Sequence, residues 1–90
     1  MKLDPALMKL LEGEAVNDSD YDVNVRSDGV KEYSVIIRSN NVDDLKSAGI
    51  RVGSTVSDII TARVTVQELR KALGIPSVRV VLNSTKSYPQ

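Results

Sequence analysis

The 90-residue chain predicts one α+β domain: a four-stranded antiparallel sheet with two helices on one face, preceded by a short extra helix. Three observations predict it. β-branched runs recur at four places with a period near two. Two capped segments with helical spacing lie between the first and second runs and between the third and fourth. Hydrophobic residues make up 41% of the chain, enough for a core and too many for a disordered tail.

The elements follow in order. Asp4 is a good N-cap, and Pro5 takes the first helical position, where its missing N–H costs nothing. Leu7, Leu10 and Leu11 recur at helical spacing and Gly13 stops the helix, so residues 1–13 form the extra helix. Residues 14–29 read as an acidic linker. Between Glu12 and Asp28 there are six acids against one base, Arg26, interspersed with Asn17, Ser19, Asn24, Ser27 and Gly29.

The body covers residues 30–83. Tyr33 to Arg38 is a strand. Asn40 or Asn41 caps a short helix through Val42, Leu45 and Ala48, closed by Gly49. Ile50 to Val56 is a second strand, weakened by Gly53, and Ser57-Asp58 turns the chain into a third, Ile59 to Val64. Thr65-Val-Gln-Glu68 is a capping box, in which the Thr hydroxyl accepts from the Glu amide and the Glu carboxylate reaches back. That helix carries Val66, Leu69 and Leu73, ends at Gly74 and cannot pass Pro76. Ser77 to Leu82 is the fourth strand, and residues 84–90 form an extended polar tail. The order β-α-β-β-α-β is the split-βαβ, ferredoxin-like unit, with its first and third strands central.

Strict alternation assigns the two faces of this sheet. It places Tyr33, Val35, Ile37, Ile60, Ala62, Val64, Val78, Val80 and Leu82 under the helices. Ser34, Ile36, Arg38, Ile59, Thr61, Arg63, Arg79 and Val81 then face away. A wetted sheet face should be mostly polar. Here Ile36, Ile59 and Val81 stand among three arginines, which reads either as an ordinary mixed surface with the N-terminal helix folded across it or as an interaction surface.

Composition narrows the chemistry. Twelve basic and twelve acidic side chains give zero formal charge, unlike a generic nucleic-acid binder. The charge is nonetheless divided, −4 over residues 1–50 and +4 over residues 51–90, which favours contact between the two parts. With no Cys and no His, the chain lacks the residues for zinc sites, thiol nucleophiles and Ser-His-Asp catalysis. Asp18-x-Asp20-x-Asp22 opens like a calcium loop, but the sixth and twelfth positions hold Val23 and Gly29 in place of Gly and Glu. An RNA-recognition module needs stacking aromatics on its central strands, where Thr61 and Arg63 stand instead. No phosphate loop is present. The expectation is a binding protein without enzymatic activity or cofactor. No apolar run approaches the ~20 residues of a membrane helix, and no signal-peptide pattern opens the chain. A cytoplasmic protein, or a secreted one whose signal has been removed, is expected.

The runs Tyr33-Ser-Val-Ile-Ile-Arg38, Leu45-Lys-Ser-Ala-Gly-Ile-Arg-Val52, Ser57-Asp-Ile-Ile-Thr-Ala-Arg-Val64, Leu69-Arg-Lys-Ala-Leu73 and Pro76-Ser-Val78, in this order, resemble the N-terminal prodomain-like region of bacterial subtilisin-like serine peptidases. The likeness spans residues 33–89, and Leu3-Asp-Pro-Ala-Leu7 is similar to the family's usual start. The resemblance implies a ferredoxin-like inhibitor and intramolecular chaperone. Its open sheet face would pack on surface helices of the protease domain, and its C-terminal extension would lie in the substrate cleft. Ile36, Ile59, Thr61 and Val81 would be docking positions, with Arg38, Arg63 and Arg79 beside them. Asp58 would face a helix N-terminus of the protease. Residues 84–90 would fill the cleft, with Tyr88 in a specificity pocket and Ser87, Pro89 and Gln90 beside it. The alternative is a regulatory or oligomerising ferredoxin-like domain whose open face takes a small molecule or pairs with a second copy.

Overall fold

The computed structural model describes residues 3–17, 19 and 21–84. Eight elements follow one another: α1 (Pro5–Leu11), β1 (Val23–Val25), β2 (Lys31–Ser39), α2 (Val42–Ser47), β3 (Arg51–Val56), β4 (Ile59–Val64), α3 (Val66–Leu73) and β5 (Val78–Asn83). The five strands make one antiparallel sheet on which the three helices pack. β2 is its organising strand. One edge pairs with β4 from Tyr33 to Arg38. The other pairs with β1 over residues 31–33 and with β5 over residues 35–39. β3 pairs with β4.

The punctuation read from the sequence has physical counterparts. The Asp4 carboxylate accepts from the Ala6 N–H at 2.9 Å, capping α1. Thr65 and Glu68 form the reciprocal capping box of α3, at 3.2 and 2.9 Å. Gly49 follows α2 with φ +85°, a conformation that side chains resist. Asn41 holds the cap position of α2, but its side chain makes no capping bond. The buried Ser39 hydroxyl instead accepts from the Asn41 N–H, while Ser77 donates to Asp44 in the first turn.

The segment expected to be a linker contains a strand. Val23 and Val25 are too few to announce β1 amid acidic and polar neighbours. The strand exists because the Arg26–Gly29 turn folds it back onto β2. Arg26 pairs with Asp28 at 2.8 Å, holding that carboxyl down to about 2. The Asp28 carboxylate also accepts from the Val30 N–H.

Strict alternation also fails on β5. Arg38 pairs with Val80 and Ser39 with Val78, so Arg79 is an extra, bulged residue. Beyond a bulge the inward and outward positions exchange. Val81 therefore lies in the core, fully buried, whereas Leu82 is 38% exposed and Val80 turns outward opposite Arg38. The assignment of Val81 to the open face, and of Val80 and Leu82 to the helical face, is corrected accordingly.

One core unites the helices and the sheet. Leu7 and Leu10 of α1, Leu45 of α2, and Leu69 and Ala72 of α3 pack with Val35, Ile37, Ile60, Ala62, Val64, Val78 and Val81. α1 is joined to this body at several points. The Asp4 N–H donates to the Val81 carbonyl at 3.0 Å, and Leu3 bridges to Val81 in parallel, covering the outer edge of β5. Arg70 donates to the Leu11 carbonyl, and the Tyr21 hydroxyl to that of Ala6. Leu7→Ala is expected to cost about 3 kcal/mol and to leave urea unfolding a single transition. A cost below about 1 kcal/mol, or a separate early transition, would show α1 to be an appendage.

Candidate functional site on the open sheet face

The face turned away from the helices is arranged in ranks set by strand register. The first rank runs Val80, Arg38, Ile59, Val56 across β5, β2, β4 and β3. The second runs Leu82, Ile36, Thr61, Ser54. The third runs Ser34, Arg63, Arg51, and the Ser84 N–H reaches the Ser34 carbonyl at its end. The face thus grades from an apolar end to a basic one. Val56 is 69% exposed, Ile59 40% and Leu82 38%, while Ile36 is half-buried. Among the described residues no helix lies on these ranks, because all three place their buried side chains in the core on the other side.

At the apolar end, Asp58 sits in the turn between β3 and β4. Arg38 reaches its carboxylate at 3.0 Å, and Arg79 contacts the same oxygen from the bulge of β5. The Arg38 hydrogen bond, together with the positive charge of both arginines, holds the Asp58 carboxyl below its ordinary range despite partial desolvation. The carboxylate expected to meet a partner's helix N-terminus is thus already engaged within the chain. Its turn is tight: Ser57 adopts φ +56°, and the Asp58 carbonyl accepts from the Ser39 N–H.

Toward the basic end, β3 carries a second irregularity between Val52 and Ser54. A Cβ on Gly53 would stand 3.2 Å from the Thr61 hydroxyl, tighter than ordinary contact. Without one, Thr61 accepts from the Ser54 N–H at 3.0 Å and meets the Ser54 hydroxyl at 2.8 Å. A groove of about 430 Å³ lies here, with Ser34, Arg51, Gly53, Thr61 and Arg63 in its lining. Glu32, two residues before Ser34, is 2% exposed and lies 3.6 Å from Arg26 and 3.8 Å from Arg51.

Of the residues singled out in the sequence, Ile36, Arg38, Ile59, Thr61 and Arg63 share this face, and Arg79 joins it through Asp58. Val81 does not belong to it. Ser87, Tyr88, Pro89 and Gln90 lie outside the described residues. Sequence reasoning missed Val80 and Leu82, which the bulge turns outward, and Val56, Ser54 and Arg51, whose strand is irregular. Pairing the strand Ile50–Val56 against Ile59–Val64 across the Ser57-Asp58 turn would have located Val56 opposite Ile59.

Asp58 makes a pH prediction. Its folded-state pKa is lowered, so its contribution to stability is complete above the ordinary 3.8 and is lost as pH falls through the lower folded value. Asp58→Asn should be less stable than the parent near neutral pH, and the gap should narrow in urea titrations as the pH is lowered below the ordinary carboxylate value. A gap independent of pH would deny the Asp58 ion pairs any role.

No family model, curated protein or solved structure matches the chain.

Proposed function

We propose that the chain is a protein-binding module that docks through its open sheet face, and that its partner is a subtilisin-like serine protease domain. One observation carries the docking reading: an apolar end containing Val56, Ile59, Ile36, Val80 and Leu82 stays outside the core while three helices occupy the opposite face. Apolar surface rimmed by charge is the signature of a contact region. The partner is proposed from the sequence resemblance. The antiparallel neighbours β5, β2, β4 and β3 support a ferredoxin-like reading of the body, with β1 as an addition beside β5 on the same edge of β2.

The mechanism is one of differential binding. A module that binds a folded protease and not its unfolded chain stabilises the folded state by mass action. If the docked sheet is already formed in the folding transition state, it also accelerates folding. Inhibition requires residues 84–90 to enter the cleft; Ser84 leaves the sheet beside Ser34, at the basic end of the face. A domain of this size has a thin stability margin, so the released protease can cleave it when it opens.

The purified chain should inhibit a subtilisin-type protease. Ile36→Lys with Ile59→Lys should weaken inhibition about 100-fold, equivalent to about 3 kcal/mol of lost apolar contact, with the circular-dichroism melt retained. Inhibition unchanged by the double substitution, or absent in the parent, contradicts the proposal. Concentration-dependent self-association abolished by the same substitutions would support the oligomerising alternative.

A further inference from the structure

We infer that the basic end of the open face is a carboxylate clamp, in which Arg51 and Arg63 together receive one acidic side chain of a protein partner. The inference deepens the docking reading and rests on it.

The two arginines stand directly opposite one another across β3 and β4. Like charges in that relation repel, so the arrangement calls for an anion between them. Arg63 is exposed and makes no ion pair or side-chain hydrogen bond among the described residues. Arg51 forms an ion pair with the buried Glu32, but at 3.8 Å, beyond hydrogen-bond reach, so its guanidinium can still take a second acceptor. The other end of the same face shows what such a pair does when it has its carboxylate: Arg38 and Arg79 converge on Asp58. The Arg51–Arg63 pair has no equivalent acid between its members, and it borders a groove of about 430 Å³ in their place. Gly53 keeps that groove open over Thr61. Two forked guanidinium groups suit the planar geometry of a carboxylate.

The surrounding charge selects the occupant. Asp22 lines the groove and Glu32 lies behind Arg51. These two acids balance the charge of Arg51 and Arg63, which disfavours a densely charged polyanion, and the unpaired Arg63 guanidinium is left to receive a single carboxylate. A second copy of the chain is a poor fit as well. Its own open face would present four arginines (38, 51, 63 and 79) against three acids, Asp22, Glu32 and Asp58, of which Glu32 is buried and Asp58 is held by Arg38 and Arg79. The complementary surface is a protein face carrying an acidic side chain flanked by apolar ones, since the clamp adjoins the ranks of Leu82, Ile36 and Ile59.

The test uses the full ¹⁵N-labelled chain, titrated at fixed ionic strength with a blocked Ala-Glu-Ala peptide and with its Gln counterpart. Saturable shifts are expected at the amides of Ser34, Gly53, Thr61 and Arg63 with the Glu peptide only, with a dissociation constant in the millimolar range. Arg63→Gln should weaken binding at least tenfold, while Arg63→Lys should retain part of it; the position is exposed, and an unchanged spectrum elsewhere confirms folding. No saturable shift, shifts spread over all basic residues, or equal response to the Gln peptide overturns the clamp. Shifts that grow with protein concentration alone would also overturn it, by assigning the face to a second copy. Because the peptide reads only the basic end, failure here with protease inhibition intact removes the clamp and leaves the docking reading. Peptide binding without inhibition does the reverse.

Discussion

The register between β2 and β5 is the constraint on which the rest of the structure depends. β2 is paired along both edges, and its partner β5 contains one residue more than regular pairing allows. That residue is Arg79. Its bulge decides which side chains of β5 enter the core, because a displacement of one residue exchanges the faces. Val81 is thereby buried, and Val80 and Leu82 become surface. The bulge is tied down from the opposite edge of β2. Arg79 and Arg38 meet at Asp58, so the β3–β4 turn, the central strand and β5 are linked through one carboxylate.

From this register follows the separation of the molecule into a packed side and an open one. The packed side includes α1, which Asp4 joins to β5 through two different contacts: its N–H donates to the Val81 carbonyl, and its carboxylate accepts from the Asn83 N–H. The opening segment therefore strengthens the core and seals a sheet edge, which removes a template for unwanted strand pairing. It leaves the other face alone. There the order in which three strand registers bring residues together gathers the apolar side chains at one end, beside the Arg38–Asp58–Arg79 cluster, and leaves Arg51 and Arg63 at the other. A partner meeting this surface encounters both a hydrophobic contact and a directional charge contact, the first supplying most affinity and the second orientation.

Much of the fold was legible because it rests on local signals. Asp4, the Thr65–Glu68 box and Gly49 mark helix ends through interactions within a few residues, and the β-branched runs mark strands. β1 was not legible: three residues, Val23-Asn-Val25, become a strand only through pairing with β2. Nor was the bulge, since Arg79 has none of the glycine chemistry that often advertises one. The candidate face was legible on β2 and β4, where alternation holds. It was misread on β5, where alternation breaks, and left blank on β3, where Gly53 interrupts pairing. The role of Asp58 is a long-range property. Its partners lie 20 residues before it and 21 after it in sequence, and a turn aspartate alone gives no sign of them.

The chain contains no cysteine, so single thiols can report the exposure of β5 directly. Val80→Cys, Val81→Cys and Leu82→Cys, labelled under native conditions, give three rates. Labelling should be rapid at position 82, intermediate at 80, and at least about 100-fold slower at 81, limited by opening of the core. Fast labelling at 81 with protection at 80 and 82 would restore unbroken alternation and contradict both the bulge and the open face built on it.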